Sequence, residues 1–266
     1  MEAIDGSAVP IPILYEDAWM LAVNKPPGIV VNDAATVSGS TVQSWAAARF
    51  GAWVQTSTDE TLVDPSHYAL APSHCDFCAR AGIVHRIDRE TSGILLIAKT
   101  PHAFTTLQLQ FKERQINKEY LAIAHGLMES RVGEIRAPVG RLPWNRERFG
   151  VVPGGKEAIT FFRVISHLQK HSEPDAYSLI SLSPKTGRTH QIRVHLKYIQ
   201  HPILGDYLYA GRKVSRDDRV SVPRVMLHAW KLSLTHPQTQ QKLDIVAPVP
   251  NDMIDILHRF EVSIPK

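Results

Sequence analysis

The sequence predicts an α+β fold in which a large mixed, mainly antiparallel β-sheet is flanked by helices and loops. At 266 residues and 44% hydrophobic, the chain can bury a large core. Segments rich in β-branched and aliphatic residues recur along it, and several alternate in hydrophobicity as antiparallel strands do. These segments are 11–15, 19–23, 94–98, 120–124, 158–165, 177–182, 225–234 and 243–247.

Helical patterns are fewer than strand patterns, which favours α+β over other classes. The first pattern begins on Thr41, a residue type that caps helix N-termini, and the second repeats large apolar residues three and four positions apart. The predicted helices are 41–50, 102–114 and 251–260.

Domain organisation is predicted to be simple, because no internal repeat or low-complexity linker is visible. We expect one domain over 1–266 with a short tail at 1–10. The longest irregular stretch is 51–82, which contains both cysteines; loops of that length are uncommon unless they are functional or stapled. A second irregular stretch, 209–224, is strongly basic and is either a mobile arm that closes over a polyanion or a solvated loop.

Membrane and secretory classes are not indicated by the sequence. No run approaches the roughly 18 apolar residues of a membrane span. The first twelve residues carry Glu2 and Asp5 and lack the basic-then-apolar order of a signal peptide. We therefore expect a cytoplasmic protein without a membrane partner.

The placement of basic residues is more informative than the net charge of +4. Bases gather in segments punctuated by glycine or proline, a pattern typical of a phosphate-backbone footprint, although a soluble surface also carries scattered bases. The clusters are Arg141, Arg146 and Arg148; Lys185, Arg188, Arg193 and Lys197; and Arg212, Lys213, Arg216, Arg219 and Arg224.

The stretch 85–93, HRIDRETSG, is the strongest candidate for chemistry. It places Asp88 between Arg86 and Arg89 at the edge of an apolar strand. Such surroundings can keep a partly desolvated carboxylate ionised, which suits a nucleophile or a base. The alternative is a solvated cluster of salt bridges.

A second candidate is the stretch 184–193, PKTGRTHQIR, which follows a strand and turns at Gly187. Thr189 can cap the apolar helical pattern that follows, so Arg188 is expected at a strand-to-helix junction. Such a junction suits an anion, either a phosphate or a carboxylate such as Asp88. The alternative is an arginine that caps its own strand.

These motifs resemble those of the RluA-type pseudouridine synthases. The stretch 85–99, HRIDRETSGILLIAK, resembles the catalytic-aspartate motif of that family, and four further motifs follow the family's order around it. They are KPPGIVV at 25–31, KEYLA at 118–122, GRTHQIRVH at 187–195 and LHA at 227–229. Together they cover about residues 11–250, which chance does not readily explain.

The resemblance implies a pseudouridine synthase catalytic fold with a central cleft, and isomerisation of uridine in RNA without a cofactor. It makes Asp88 the nucleophile, attacking either carbon 6 of uracil or the anomeric carbon of the ribose. Tyr120 is expected to stack on the target base and assist proton removal from carbon 5, and Arg188 to pair with Asp88. Leu227 corresponds to an apolar residue of the pocket, or is ordinary strand core.

The reaction also requires that uracil leave the RNA stack. The resemblance gives Arg86 the role of supporting the flipped nucleotide; a phosphate contact or an ion pair with Glu90 is the alternative. We further predict RNA contacts by Lys185 and Arg193. Many family members carry an RNA-binding domain before the catalytic one, whereas here about ten residues precede the first strand. We therefore expect the catalytic domain and its loops to recognise a compact tRNA or rRNA stem-loop. We also expect a monomer.

Cys75 and Cys78 have the spacing of a zinc knuckle, which His67 and His74 could complete. A single Cys-x-x-Cys is a weak signal. Two free thiols are the leading interpretation, a zinc site and a redox disulfide are the alternatives, and we assign no metal.

Two competing hypotheses belong to other classes. One is a non-catalytic RNA-binding or RNA-folding protein that retains the fold. The other is a carboxylate-dependent nucleoside glycosidase, which would need a second acid and would release free uracil.

Overall fold

The computed structural model describes residues 10–34, 39–56, 74–170 and 175–263. It confirms the predicted class, an α+β fold with a large, mostly antiparallel sheet flanked by helices. The strands are β1 (Ile13–Glu16), β2 (Met20–Lys25), β3 (Ser92–Ala98), β4 (Asn117–His125), β5 (Val132–Arg136), β6 (Val139–Leu142), β7 (Asn145–Val151), β8 (Ile159–Gln169), β9 (Ala176–Pro184), β10 (Leu227–Thr235) and β11 (Lys242–Val246). The helices are α1 (Val42–Thr56), α2 (His74–Ala79), α3 (Pro101–Lys112), α4 (Gln191–Tyr198), α5 (Arg212–Ser221) and α6 (Asn251–Arg259).

Two compact units share the chain. The first consists of Met1–Arg89, Gly93–Ile116 and Leu232–Ala247, and the second of Glu90–Ser92, Asn117–Lys231 and Pro248–Lys266. The expectation of a single domain over 1–266 stays a prediction.

In the first unit, β1, β2 and β3 are antiparallel neighbours, and every residue of β3 is buried. The loop before β3 requires Gly82, whose φ is +74° and where a Cβ would lie 2.1 Å from the carbonyl oxygen of Ala98. Helix α3 begins after Thr100, whose hydroxyl accepts the backbone N–H of Ala103 at 3.1 Å. Its buried face packs on the strands, as the spacing of its apolar residues predicts.

Asp17 organises the turn between β1 and β2. Its carboxylate accepts hydrogen bonds from the Tyr15 hydroxyl (2.7 Å) and from the backbone N–H groups of Trp19 (2.7 Å) and Met20 (2.8 Å), and lies 2.6 Å from Nε2 of His236. Burial raises the pKa of Asp17, but these hydrogen bonds outweigh burial and hold the pKa below its usual value. The hydrogen bond to Asp17, with burial and the aspartate's charge, raises the pKa of Tyr15 to about 12.

Asp17 should therefore give the protein acid-sensitive stability. Because its folded-state pKa is depressed, its contribution is present above the unfolded-state pKa of about 3.9 and is lost as the pH falls through the folded-state value. We expect Asp17→Asn to lower the free energy of unfolding near neutral pH, and the difference from wild type to shrink below about pH 4. Urea unfolding across pH 3 to 7 measures it, with the exposed Asp76→Asn of α2 as control. A difference that stays constant with pH would contradict this account.

In the second unit, β4, β9, β8 and β5 are consecutive antiparallel neighbours, whereas β6 and β7 form a separate two-stranded hairpin. Strands β4 and β9 share an apolar core with residues of α4, α6 and the start of β10. Arg224 fixes the segment before β10. Its guanidinium binds both carboxylate oxygens of Asp252 at 2.6 and 2.8 Å and donates to the carbonyl oxygens of Leu227 (3.2 Å) and Glu90 (3.4 Å).

The stretch 209–224 is not the irregular arm that the sequence predicts, because α5 occupies most of it. The helix turns polar residues inward: Asp218 is buried, accepts the backbone N–H of Gly205 (2.8 Å) and lies 3.1 Å from Nε2 of His125. The exposed positions carry the bases Arg212, Lys213, Arg216 and Arg219. A buried face made of polar residues leaves no apolar periodicity for the sequence to reveal.

The predicted irregular stretch 51–82 is also partly wrong. Helix α1 continues to Thr56 and α2 occupies His74–Ala79, while 57–73 lies outside the described residues. The start of α1 is confirmed: Thr41 and Ser44 cap it reciprocally, each side-chain hydroxyl accepting the other's backbone N–H at 2.9 Å. None of the described helices is long and apolar enough to cross a membrane.

Candidate active site

The segment that carries Asp88 is anchored on its N-terminal side by His85. Nε2 of His85 accepts the backbone N–H of Leu96 at 2.9 Å, and the imidazole stacks on Phe111 with ring centroids 4.5 Å apart. Ile87 is buried in the core, whereas Arg86 is exposed and Asp88 is half-buried. Asp88 is therefore partly accessible to solvent, on a segment that His85 and Ile87 hold in place.

Lys25 anchors the other side of the segment. Its side chain is 0% exposed, and its ammonium donates to the carbonyl oxygens of Pro26 (2.7 Å), Ile29 (3.0 Å) and Arg89 (3.0 Å). Arg89 also exchanges two hydrogen bonds with Gly28: the Gly28 N–H donates to the Arg89 carbonyl, and Arg89 Nε to the Gly28 carbonyl, both at 2.9 Å. The motif at 25–31 thus clamps the residue that follows Asp88, a role that the sequence did not reveal.

Tyr120 lies on β4 opposite Leu182 of β9, half-buried against the core of the second unit. Leu227, the first residue of β10, is buried in the same core. That burial is compatible with both sequence interpretations of Leu227, pocket wall and strand core. A further contact joins two motifs at this point, because the Ser92 hydroxyl lies 2.9 Å from Nδ1 of His228.

The loop that carries Arg188 is organised by the buried side chain of Gln191. Its Oε1 accepts the backbone N–H of Arg188 (3.0 Å) and the Thr186 hydroxyl (2.7 Å), while Nε2 donates to Ile159 O and Thr160 Oγ1, both at 3.0 Å. The sequence alone does not reveal this role of Gln191, because its partners on β8 are distant in sequence.

Arg188 itself is half-buried, and its Nε donates to the carbonyl oxygen of Glu157 at 3.0 Å. The residue that caps α4 is His190, in a left-handed conformation with φ of 55°, rather than Thr189 as predicted. The strand-to-helix junction expected at Arg188 is present between β9 and α4.

Arg193 has a scaffolding position in the structure. Its guanidinium binds both carboxylate oxygens of buried Asp206, at 2.8 and 2.9 Å, and lies over the ring of Tyr209 at 5.0 Å. A buried guanidinium engaged in this way is poorly placed for a phosphate, and its RNA contact stays a prediction. Lys185, by contrast, is exposed, with Nζ 5.8 Å from the centroid of the exposed Phe161 ring.

His195 also belongs to the scaffold of the second unit. It is fully buried between Thr160 Oγ1 (2.9 Å) and the carbonyl oxygen of Ala137 (3.0 Å). Burial lowers the pKa of His195, and the hydrogen bond to Ala137 only partly opposes this effect. The imidazole is therefore neutral at physiological pH.

Asp88 and Arg86 belong to the first unit, and Tyr120, Arg188 and Leu227 to the second. The Asp88–Arg188 ion pair stays a prediction. Among the zinc candidates, His67 and the side chains of His74 and Cys75 lie outside the described residues, and Cys78 is a half-buried free thiol.

Residues 20–198 match the family model of the RNA pseudouridylate synthases. The matched region includes Arg86, Asp88, Tyr120 and Arg188 but not Leu227. The chain belongs to that family. Ribosomal large subunit pseudouridine synthase D of Vibrio vulnificus is 38% identical over 95% of this chain and 71% of its own length. The protein of the same name from Nitrosomonas europaea is also 38% identical, over 95% of this chain and 66% of its own length.

Solved structures agree with this membership. Human RNA pseudouridylate synthase domain containing 1 superposes with a TM-score of 0.65 at 26% identity, covering 93% of this chain and 86% of its own. Human RNA pseudouridylate synthase domain containing 4 shares the fold, with a TM-score of 0.68 at 21% identity over 96% of this chain and 95% of its own.

Membership confirms the resemblance of the motifs and makes the protein an isomerase that acts on RNA. In such an enzyme the anchoring residues hold the candidate catalytic groups in position. Lys25 and His85 fix the backbone on either side of the candidate nucleophile, and Gln191 fixes the backbone of Arg188. Catalysis depends on such pre-set geometry, because a misplaced reacting group forfeits much of the rate.

Proposed function

We propose that this pseudouridine synthase modifies uridine in ribosomal RNA and that Asp88 is its nucleophile. The observation that carries the proposal is the placement of Asp88, a half-buried carboxylate on a segment fixed by Lys25, His85 and Arg89. A carboxylate fixed in this way can attack carbon 6 of uracil or the anomeric carbon of ribose. The names of the Vibrio and Nitrosomonas relatives favour large-subunit rRNA over tRNA.

The other active-site roles follow the same proposal. Tyr120 stacks on uracil and assists removal of the carbon 5 proton, directly or through a water, because an ordinary tyrosine is a weak base at neutral pH. Arg188 neutralises the carboxylate, and Arg86 supports the flipped nucleotide. We further propose that the enzyme acts as a cytoplasmic monomer.

Incubation of the purified protein with large-subunit rRNA and, in parallel, with total tRNA tests the target. We expect pseudouridine in the rRNA at a defined position. Pseudouridine formed only in tRNA would show that rRNA is not the target. Release of free uracil would favour the glycosidase instead.

Helix α5 is proposed to contact the RNA backbone. Arg212, Lys213, Arg216 and Arg219 are exposed on this ten-residue helix, and the Arg219 guanidinium is steadied over the ring of Tyr207 at 5.0 Å. The buried Asp218, bound to Gly205 and His125, fixes the helix from below. Clustered cations on a fixed element suit phosphate binding, which releases counterions and weakens with salt.

Lys213→Ala tests this surface. Loss of one phosphate contact should weaken RNA binding at low salt and reduce the slope of log Kd against log salt by about one. Fluorescence anisotropy titrations at several salt concentrations measure the slope. The matched control is Lys112→Ala, which removes an exposed lysine from α3; equal slopes for both variants would exclude α5 from the interface.

A further inference from the structure

The hairpin of β6 and β7 carries an exposed tryptophan that the catalytic site does not use. Trp144 lies in the turn between the strands and is 79% exposed. Tryptophan is rarely left so exposed in the absence of a partner, because its large apolar surface gains free energy from burial. At the tip of a hairpin, its indole ring is accessible to a ligand.

The surroundings of Trp144 indicate what kind of ligand this is. The segment 141–148 contains three arginines and one glutamate, and Arg141 and Arg148 are exposed. Arg141 lies over the ring of Phe149 at 5.2 Å, which holds its charge on the hairpin. A cationic surface with a protruding aromatic side chain is the usual platform for an unpaired nucleic-acid base and its phosphates.

The hairpin is also held rigidly on the unit that contains Arg188. The Phe149 backbone N–H donates to the Tyr209 hydroxyl at 3.1 Å, and that hydroxyl lies 2.8 Å from Nδ1 of His190. Tyr209 is buried with Val139 of the hairpin and with Val194 of α4. Both strands of the hairpin that carries Trp144 are therefore anchored to this unit, and such anchoring reduces the ordering that binding requires, which favours affinity.

We propose that Trp144 stacks on an unpaired base of the substrate RNA, so that the hairpin is a second surface for RNA recognition in addition to helix α5. This inference deepens the proposed function and rests on RNA being the substrate. The base lies outside the catalytic pocket and is recognised by its π-face, so the contact tolerates different bases. It contributes to substrate binding rather than to the chemical step.

The experiment compares Trp144→Ala with Trp144→Phe. Because stacking on one base is worth a measurable share of binding, Trp144→Ala should weaken RNA binding roughly 5- to 150-fold. KM should rise accordingly and kcat should stay near wild type. Trp144→Phe should recover most of the affinity. The slope of log Kd against log salt should not change, since no charge is removed.

Leu109→Ala is the matched control, because Leu109 is another large apolar side chain, 47% exposed on α3. If Trp144→Ala binds RNA as tightly as Leu109→Ala and wild type, the proposal is wrong and the tryptophan serves another partner, such as a protein. The two proposals fail separately. An inactive wild type whose RNA affinity still depends on Trp144 refutes the proposed function alone, whereas an active Trp144→Ala enzyme with unchanged KM refutes the stacking alone.

Discussion

Asp88→Asn is expected to abolish pseudouridine formation, lowering kcat by roughly 10³-fold or more. Both chemical routes need an ionised carboxylate at this position, and the amide is nearly isosteric but cannot act as the nucleophile. Because His85, Lys25 and Arg89 fix the surrounding backbone, the substitution should leave the fold intact. RNA binding should persist for the same reason. Pseudouridine yield and RNA affinity, measured on the same preparation, check both expectations.

Glu113→Gln provides the control for this variant. It neutralises an exposed carboxylate of the same unit, next to the C-terminal end of α3 and hydrogen-bonded to Gln115 at 2.8 Å. We expect wild-type activity from it. An Asp88→Asn enzyme that retains turnover comparable to Glu113→Gln would rule out Asp88 as the nucleophile.

The second large effect concerns stability. Asp206→Ala should lower the free energy of unfolding by about 3 to 5 kcal/mol, because it leaves the buried guanidinium of Arg193 without its counterion. It also removes the carboxylate oxygen to which the Leu208 and Tyr209 backbone N–H groups donate, both at 3.2 Å, although the Tyr209 N–H keeps the Asp206 carbonyl oxygen as an acceptor. Chemical denaturation followed by circular dichroism measures the loss.

Two further variants separate charge burial from simple loss of an ion pair. Asp217→Ala breaks the exposed pair with Arg216, whose atoms are 3.2 Å apart, and should cost less than about 1 kcal/mol. The double substitution of Arg193→Met with Asp206→Leu removes both buried charges and should recover much of the lost stability. Equal losses for Asp206→Ala and Asp217→Ala would contradict the account.

The larger strands and their class could be predicted because their signal is local. Every residue of β3 is buried, and the segments predicted as strands are rich in β-branched and aliphatic residues. Strands β5, β6 and β7 were not predicted, because they carry exposed charged residues such as Glu134 and Arg148, which interrupt the apolar pattern of a strand. Helix α5 was missed because its inward residues, Ser215 and Asp218, are polar.

In the candidate site, too, local motifs could be predicted from the sequence, whereas contacts between distant segments could not. Asp88, Tyr120 and Arg188 could be named because they sit in recognisable motifs. The functions of Lys25 and Gln191 could not, since each depends on carbonyl or hydroxyl groups brought together only by folding. Charge alone also misleads: Arg193 and Arg224 belong to basic clusters in the sequence, yet both are buried in ion pairs, with Asp206 and Asp252 respectively.

The most direct measurement of the central claim uses rRNA that contains uridine tritiated at carbon 5. Rejoining uracil to ribose through carbon 5 displaces the hydrogen at that atom, so each isomerisation releases one tritium to water. The account predicts tritium release by the wild-type protein in step with pseudouridine formation, and none by Asp88→Asn. Tritium release that persists in Asp88→Asn, or wild-type protein that frees uracil without forming pseudouridine, would contradict it.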